Sequence, residues 1–207
     1  MKKNKKYKNS YIEKDVKIGE NVTIYPNCYI LGKSEIKDGC IIYPNTTIEN
    51  SVIDENCIVK ASYIEESYVG QNCSIGPFSH LRPKSHIDAN CKIGNFVEIK
   101  NSTLDSGTKA SHLAYIGDCD IGKNCNIGCG AIFVNYNGKS KNRCSVGDNS
   151  FIGSNCNIIA PITIAKNSYI CAGTTLTINT NENDFVIGRS RETIKENRAK
   201  NYLKKYD

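Results

Sequence analysis

An aliphatic residue returns at nearly every sixth position along most of this chain, and few folds accommodate that spacing. From Ile12 the series runs through Ile18, Ile24, Ile30, Ile36, Ile42 and Ile48. Steps of five or six residues then carry it through Ile53, Val59, Ile64, Val69, Ile75, Leu81, Ile87, Ile93, Ile99, Leu104, Ala110, Ile116, Ile121, Ile127 and Phe133. After a wider gap it resumes at Val146 and continues through Ile152, Ile158, Ile164 and Ile170 to Leu176, 28 positions in all. A spacing of six does not keep one face on a helix of 3.6 residues per turn. Short strands with a tight corner after each one do satisfy it, and three such sides make one coil of a parallel β-helix. The series predicts about nine coils and a prism roughly 40–45 Å long at about 4.8 Å per stacked strand.

Two residues before each register position a small or β-branched side chain recurs, as at Val16, Val22, Cys28, Ser34, Cys40 and Thr46. Residues two apart on a strand share a side, so each hexad sends one aliphatic and one small residue inward. Nine of the eleven cysteines (28, 40, 57, 73, 91, 119, 125, 144 and 156) occupy this second position. That placement reads them as small core residues and not as a disulfide scaffold or a zinc site, for which paired C-x-x-C spacing is absent. Gly, Asn or Asp near the corners supplies turn chemistry.

The solenoid is expected over residues 11–180, after a basic tail at 1–10 and before a tail at 181–207. The formal charge of +6 is modest, and the basic residues have no aromatic interleaving, so nucleic acid is not the expected partner. No apolar run reaches the roughly 20 residues that cross a bilayer. No apolar segment follows the basic start either, so a cytoplasmic location is expected, with no membrane partner.

Stacking lets the sequence predict neighbours. The residue two after each register position on one face gives a vertical column of Pro77, Asn95, His112, Cys129, Ser154 and Ala172. Above His112 the column is small, leaving a groove about 14 Å tall for a narrow extended ligand, three strand spacings high. Another column stacks Arg82 and Lys100, two cations one coil apart, for which an anion is the economical partner. Glu98 falls beneath Tyr115. The wide gap between Phe133 and Val146 requires a loop at 134–145 leaving the prism beside His112 and Cys129. His80 and His86 invite a metal reading, but His112 lies away from them in register, and no metal site is expected.

The segments Ile75-Gly76-Pro77-Phe78 to Arg82-Pro83, Gly94-Asn95-Phe96-Val97-Glu98-Ile99-Lys100 and Lys109-Ala110-Ser111-His112-Leu113-Ala114-Tyr115-Ile116-Gly117-Asp118 resemble one family in order. Asn126-Ile127-Gly128-Cys129-Gly130, Asn135-Tyr136-Asn137-Gly138 and Ala172-Gly173-Thr174-Thr175 extend the match. The sequence resembles the C-terminal acetyltransferase domain of the bifunctional N-acetylglucosamine-1-phosphate uridyltransferase/glucosamine-1-phosphate acetyltransferases, from about Ser10 to Lys195. The resemblance implies a left-handed β-helix of the hexapeptide-repeat type and a homotrimer with sites between subunits. It implies acetyl-CoA as co-substrate and transfer to the amine of glucosamine 1-phosphate, on the path to UDP-N-acetylglucosamine and cell-wall precursors.

On this resemblance His112 is the general base and Glu98 orients its imidazole; an ordinary imidazole is mostly neutral at pH 7 and above. Arg82 and Lys100 hold the sugar phosphate, with Tyr115 and Asn126 on the sugar. Lys141 reaches a neighbouring subunit's substrate. Cys129, Ser154 and Ala172 line the pantetheine groove, Asn135 and Tyr136 flank the thioester, and Arg189 meets a coenzyme A phosphate. Backbone N–H groups near Asn135 and Tyr136 are placed to stabilise an oxyanion. Cys129 stands where the family usually has alanine.

The family's uridyltransferase domain has no counterpart here, so uridyltransferase activity is not expected, and a separate uridyltransferase chain is a candidate partner. An acetyltransferase for another amino sugar or nucleotide sugar is the near alternative. A non-catalytic β-helix subunit docking a nucleotidyltransferase, and a metal enzyme like the γ-class carbonic anhydrases, are alternatives of other classes.

Overall fold

The computed structural model describes Tyr7 and residues 9–203, so most of the expected basic tail lies outside the described residues. Between Tyr11 and Val186 the chain forms 29 short strands in three parallel sheets of ten, nine and ten strands, and each sheet takes every third strand. This is a three-sided parallel β-helix of about ten coils. All 28 register positions of the hexad series lie in strands. From Ile24 to Leu176 every one of them is buried, while Ile12 and Ile18 in the first coil are half-buried. One strand was not anticipated: Phe185–Val186 pairs with Tyr169–Ile170 and begins a further coil within the expected tail.

The small inward positions close the corners as well as filling space. The thiols of Cys40, Cys57 and Cys73 donate to the carbonyls of Asp54, Gly70 and Asp88, at 2.9, 3.0 and 3.0 Å. Ser85 does the same with its hydroxyl, to the carbonyl of Arg82. A carbonyl turned inward at a corner has no ladder partner, and leaving it unsatisfied costs about 1–3 kcal/mol. Burial pushes the Cys28, Cys119, Cys125, Cys144 and Cys156 thiols up from their ordinary range, which keeps these side chains neutral. Ten cysteines are buried and none is in a disulfide.

Most corners turn through an Asn with positive φ, for example Asn27, Asn45, Asn72, Asn90 and Asn124. Asn tolerates this region better than other residues with a side chain. One run of corners breaks the rule. Phe78, Phe96 and Leu113 lie one coil apart at φ +58°, +59° and +47°, and 60, 57 and 56% of their surface is exposed. The two phenyl rings stack at 5.6 Å between centroids. Bulky residues seldom take this conformation, and here they place an apolar ridge on the edge that carries His112.

Because the core is a ladder of equivalent aliphatic rungs, trimming one far from the candidate site should cost stability alone. Ile48→Val is expected to lower unfolding free energy by about 0.5–1.5 kcal/mol, read by equilibrium urea denaturation.

Candidate active site

Two parts of the prism bring the expected site residues together. The first is the corner at the end of the third face. Strands Lys92–Asn95 and Lys109–His112 pair in parallel with Asn95 opposite His112. Backbone bonds carry the column upward: Asn155 N–H donates to the Cys129 carbonyl at 2.8 Å, and Gly173 N–H to that of Ser154 at 2.8 Å. Pro77, Asn95, His112, Cys129, Ser154 and Ala172 therefore stand in the predicted order. Arg189 closes the top, its Nη1 donating to the Ala172 carbonyl at 2.8 Å.

Only small side chains rise above the imidazole, and the backbones beside them are crowded. A Cβ on Gly128 would lie 2.6 Å from the Gly153 carbonyl carbon, and one on Gly153 would lie 2.4 Å from the Ala172 nitrogen. The groove is thus bounded by main chain on one side and by the outer edge of Cys129, Ser154 and Ala172 on the other. Arg189 stands at its upper end, and the small side chains leave room beside them only for a narrow, unbranched group. Cys129 is the one exposed cysteine. One thiol per chain should react rapidly with a disulfide reagent under native conditions and all eleven after denaturation. Cys129→Ala should remove the fast phase, and bound acetyl-CoA should slow it.

The second part is a cation cluster on the adjoining first face. Register places His80 opposite Glu98 and Leu81 opposite Ile99, so Arg82 and Lys100 stack as predicted. Lys141 joins them from the loop between strands Ile132–Val134 and Cys144–Val146. The loop folds back through an antiparallel bridge between Tyr136 and Lys141. Its tip is tied by the Asn137 side-chain oxygen, which accepts from the Lys139 and Ser140 N–H groups at 2.9 and 2.8 Å. Lys141 approaches Lys100 closely enough to hold its ammonium below the usual range, with desolvation and Arg82 adding to the effect. Three cations so placed form a site for a doubly charged anion such as a phosphate monoester.

Behind the cluster lies a network centred on Asp118, a residue to which the sequence analysis gave no role. The Asp118 carboxylate accepts from Asn101 Nδ2 and Asn135 Nδ2, at 2.5 Å each. Burial acts to raise its pKa, but these amides and the nearby Lys100 and Lys141 outweigh it and hold the carboxyl below its ordinary range. Asn135 Nδ2 also lies 3.5 Å from the Tyr115 hydroxyl. In the sequence Asp118 stands only as the last residue of the matching segment that begins at Lys109.

This geometry gives each expected site residue its contacts within the chain. Glu98 does not hold the imidazole: it accepts from Arg82 Nη1 at 2.8 Å, and the Arg82 guanidinium is pushed up by that contact. His112 Nδ1 is instead 2.8 Å from Asn95 Oδ1. The Asn135 side chain is buried against Asp118, and its main-chain carbonyl accepts from Asn142 N–H at 2.7 Å to close the loop. Lys141 lies against Lys100 of its own chain. Asn126 stands on the third face between Lys109 and Phe151, one face away from the cations. Tyr136 is exposed, its hydroxyl donating to the Gly138 carbonyl at 2.8 Å. His80 bonds Glu65 at 3.1 Å, and His86 stacks on Tyr68.

Residues 15–50 and 143–177 match the bacterial transferase hexapeptide (six repeats) family, and residues 63–133 match the GMPPB C-terminal domain. Bifunctional protein GlmU of Clostridium novyi (strain NT) is 49% identical over 199 residues, which cover 96% of this chain and 44% of that protein. The protein of the same name from Clostridioides difficile (strain 630) is 47% identical over 187 residues, 90% of this chain and 41% of the relative. The chain thus spans less than half the length of the curated relatives it matches. An Arabidopsis UDP-N-acetylglucosamine acyltransferase of known structure superposes with a TM-score of 0.52 over 84% of this chain and 68% of that one, at 18% identity. That likeness concerns the fold alone.

Proposed function

We propose that this chain, which belongs to the hexapeptide-repeat transferases, transfers an acetyl group from acetyl-CoA to the amine of glucosamine 1-phosphate. The product is N-acetylglucosamine 1-phosphate, a precursor of UDP-N-acetylglucosamine. The observation that carries the reading is the meeting of a histidine at the foot of a small-residue groove with three cations on the adjoining face. The groove suits the thioester arm and the cations suit the sugar phosphate.

The thioester of acetyl-CoA supplies the activated acyl carbon. His112 takes the proton that the attacking amine must lose as its nitrogen bonds that carbon and the C–S bond breaks, with coenzyme A leaving as its thiolate. Arg82, Lys100 and Lys141 hold the phosphate, and Glu98 braces Arg82 from the side. Tyr115, steadied through Asn135 and Asp118, faces the sugar. Asn126 is the sugar contact that stands off this cluster. Cys129, Ser154 and Ala172 guide the pantetheine, Tyr136 flanks the thioester from the loop, and Arg189 meets a coenzyme A phosphate. Metal takes no part in this scheme.

A homotrimer is part of the proposal. The exposed ridge of Phe78, Phe96 and Leu113 supports it, since an apolar strip held in a costly backbone conformation is economical only when a partner covers it. The reaction is placed in the cytoplasm; no helix among the described residues is long and apolar enough to cross a membrane.

Acceptor charge tests the cation cluster. Glucosamine 1-phosphate should exceed unphosphorylated glucosamine in kcat/KM by about 100-fold or more, given roughly 1.5–3 kcal/mol for each charged hydrogen bond. Arg82→Ala should raise KM for the sugar phosphate about 10- to 100-fold by the same magnitude. Equal use of both sugars would remove the phosphate from the scheme.

A further inference from the structure

His112 needs one ring nitrogen unprotonated to act as a base, and something must fix which one. The carboxylate of Glu98 is committed to Arg82 at 2.8 Å. Asn95 occupies the position directly opposite His112 in the strand pair, with Oδ1 2.8 Å from Nδ1. We infer that Asn95 is the positioning residue of His112: its side-chain oxygen accepts from Nδ1–H, leaving Nε2 as the atom that takes the amine proton.

The main chain holds both partners of this contact in place. Lys92–Asn95 and Lys109–His112 are four-residue strands, longer than the others of the prism, and the extra length carries the pairing as far as Asn95 and His112. Leu113 N–H donates to the Asn95 carbonyl at 2.9 Å. At the preceding position a Cβ on Gly94 would fall 1.8 Å from the Ser111 carbonyl oxygen, so the two backbones run in close approach. An amide also suits the surroundings. It selects the tautomer without adding a carboxylate that would repel a substrate phosphate held by the neighbouring cations.

The inference deepens the acetyl-transfer reading and rests on it. Two measurements keep the two claims separable. In the full chain labelled with 15N, the three histidines can be told apart with the His112→Ala variant, and the ring nitrogens of His112 report the tautomer directly. A protonated Nδ1 and unprotonated Nε2 are expected in the wild type, and Asn95→Ala should lose that preference. In steady-state kinetics Asn95→Ala should lower kcat by about 10-fold or more, within the range ascribed to general-base catalysis, with an unchanged melting temperature. Asn95→Asp, which keeps an acceptor at the same place, should recover much of that loss, and Glu98→Gln should lower kcat less than Asn95→Ala does. An unprotonated Nδ1 in the wild type, or wild-type kcat in Asn95→Ala beside an inactive His112→Ala, would overturn the inference. A wild-type chain that acetylates no amino sugar would instead defeat the acetyl-transfer reading, while the tautomer still decides the role of Asn95.

Discussion

Replacing His112 by alanine is expected to lower kcat by about 10²–10⁴-fold, the contribution of a positioned general base, while KM for both substrates and the oligomeric state stay close to wild type. The side chain is exposed at a corner and among the described residues bonds only to Asn95, so its removal opens no cavity and breaks no core contact. The groove above it and the cations beside it are built from other residues. A loss confined to kcat therefore identifies proton removal as the role, whereas a loss confined to KM would place His112 among the binding groups.

The second large effect comes from a residue with no side chain. Gly94→Val places a Cβ where the Ser111 carbonyl oxygen already lies, 1.8 Å away, and the obstructing atoms are backbone. Neither coil can yield without breaking its own ladder, so the cost should reach or exceed the upper end of the roughly 1–3 kcal/mol typical of overpacking. Catalysis should fall further than stability requires. Gly94 precedes Asn95 and Ser111 precedes His112, so the strain prises apart the contact that orients the base. A variant with wild-type melting and wild-type kcat would show that the two coils are not in close approach.

The fold was legible because a solenoid repeats one local rule. A spacing of six, an aliphatic residue with a small one two places earlier, and Asn at the corners determine strand, interior and turn together, and all 28 register positions occupy strands. The rule fails at Phe185–Val186, where the register residue Val186 comes ten positions after Leu176 and Asp184 occupies the position two before it. Vertical neighbours were legible for the same reason: the column from Pro77 to Ala172 and the Arg82–Lys100 stack come from counting alone. Side-chain partners were not. Counting places Asn95, Glu98 and Tyr115 near His112 but cannot say that Glu98 reaches diagonally to Arg82, since that choice depends on rotamers. The Asn135–Asp118 contact was not legible because Asn135 begins the loop, where the repeat no longer dictates which way a side chain points. Asp118 was overlooked because a corner Asp after Gly already has a sufficient reason in turn chemistry.

The apolar ridge and the cation cluster lie on the same side of the prism and make compatible demands. In the proposed homotrimer the ridge would meet a partner copy along the edge that bears His112, and in the proposed reaction the cations would meet a charged substrate beside it. A groove open in one chain becomes a closed channel when another copy covers that edge, and exclusion of water there strengthens each charge contact.

The most direct measurement is mass-spectrometric identification of the product formed by the purified chain from acetyl-CoA and a panel of amino sugars and their phosphates. N-acetylglucosamine 1-phosphate as the dominant product, lost in His112→Ala, is the predicted result. Acetylation of no amino sugar under conditions where the chain is folded and assembled would contradict the account at its centre.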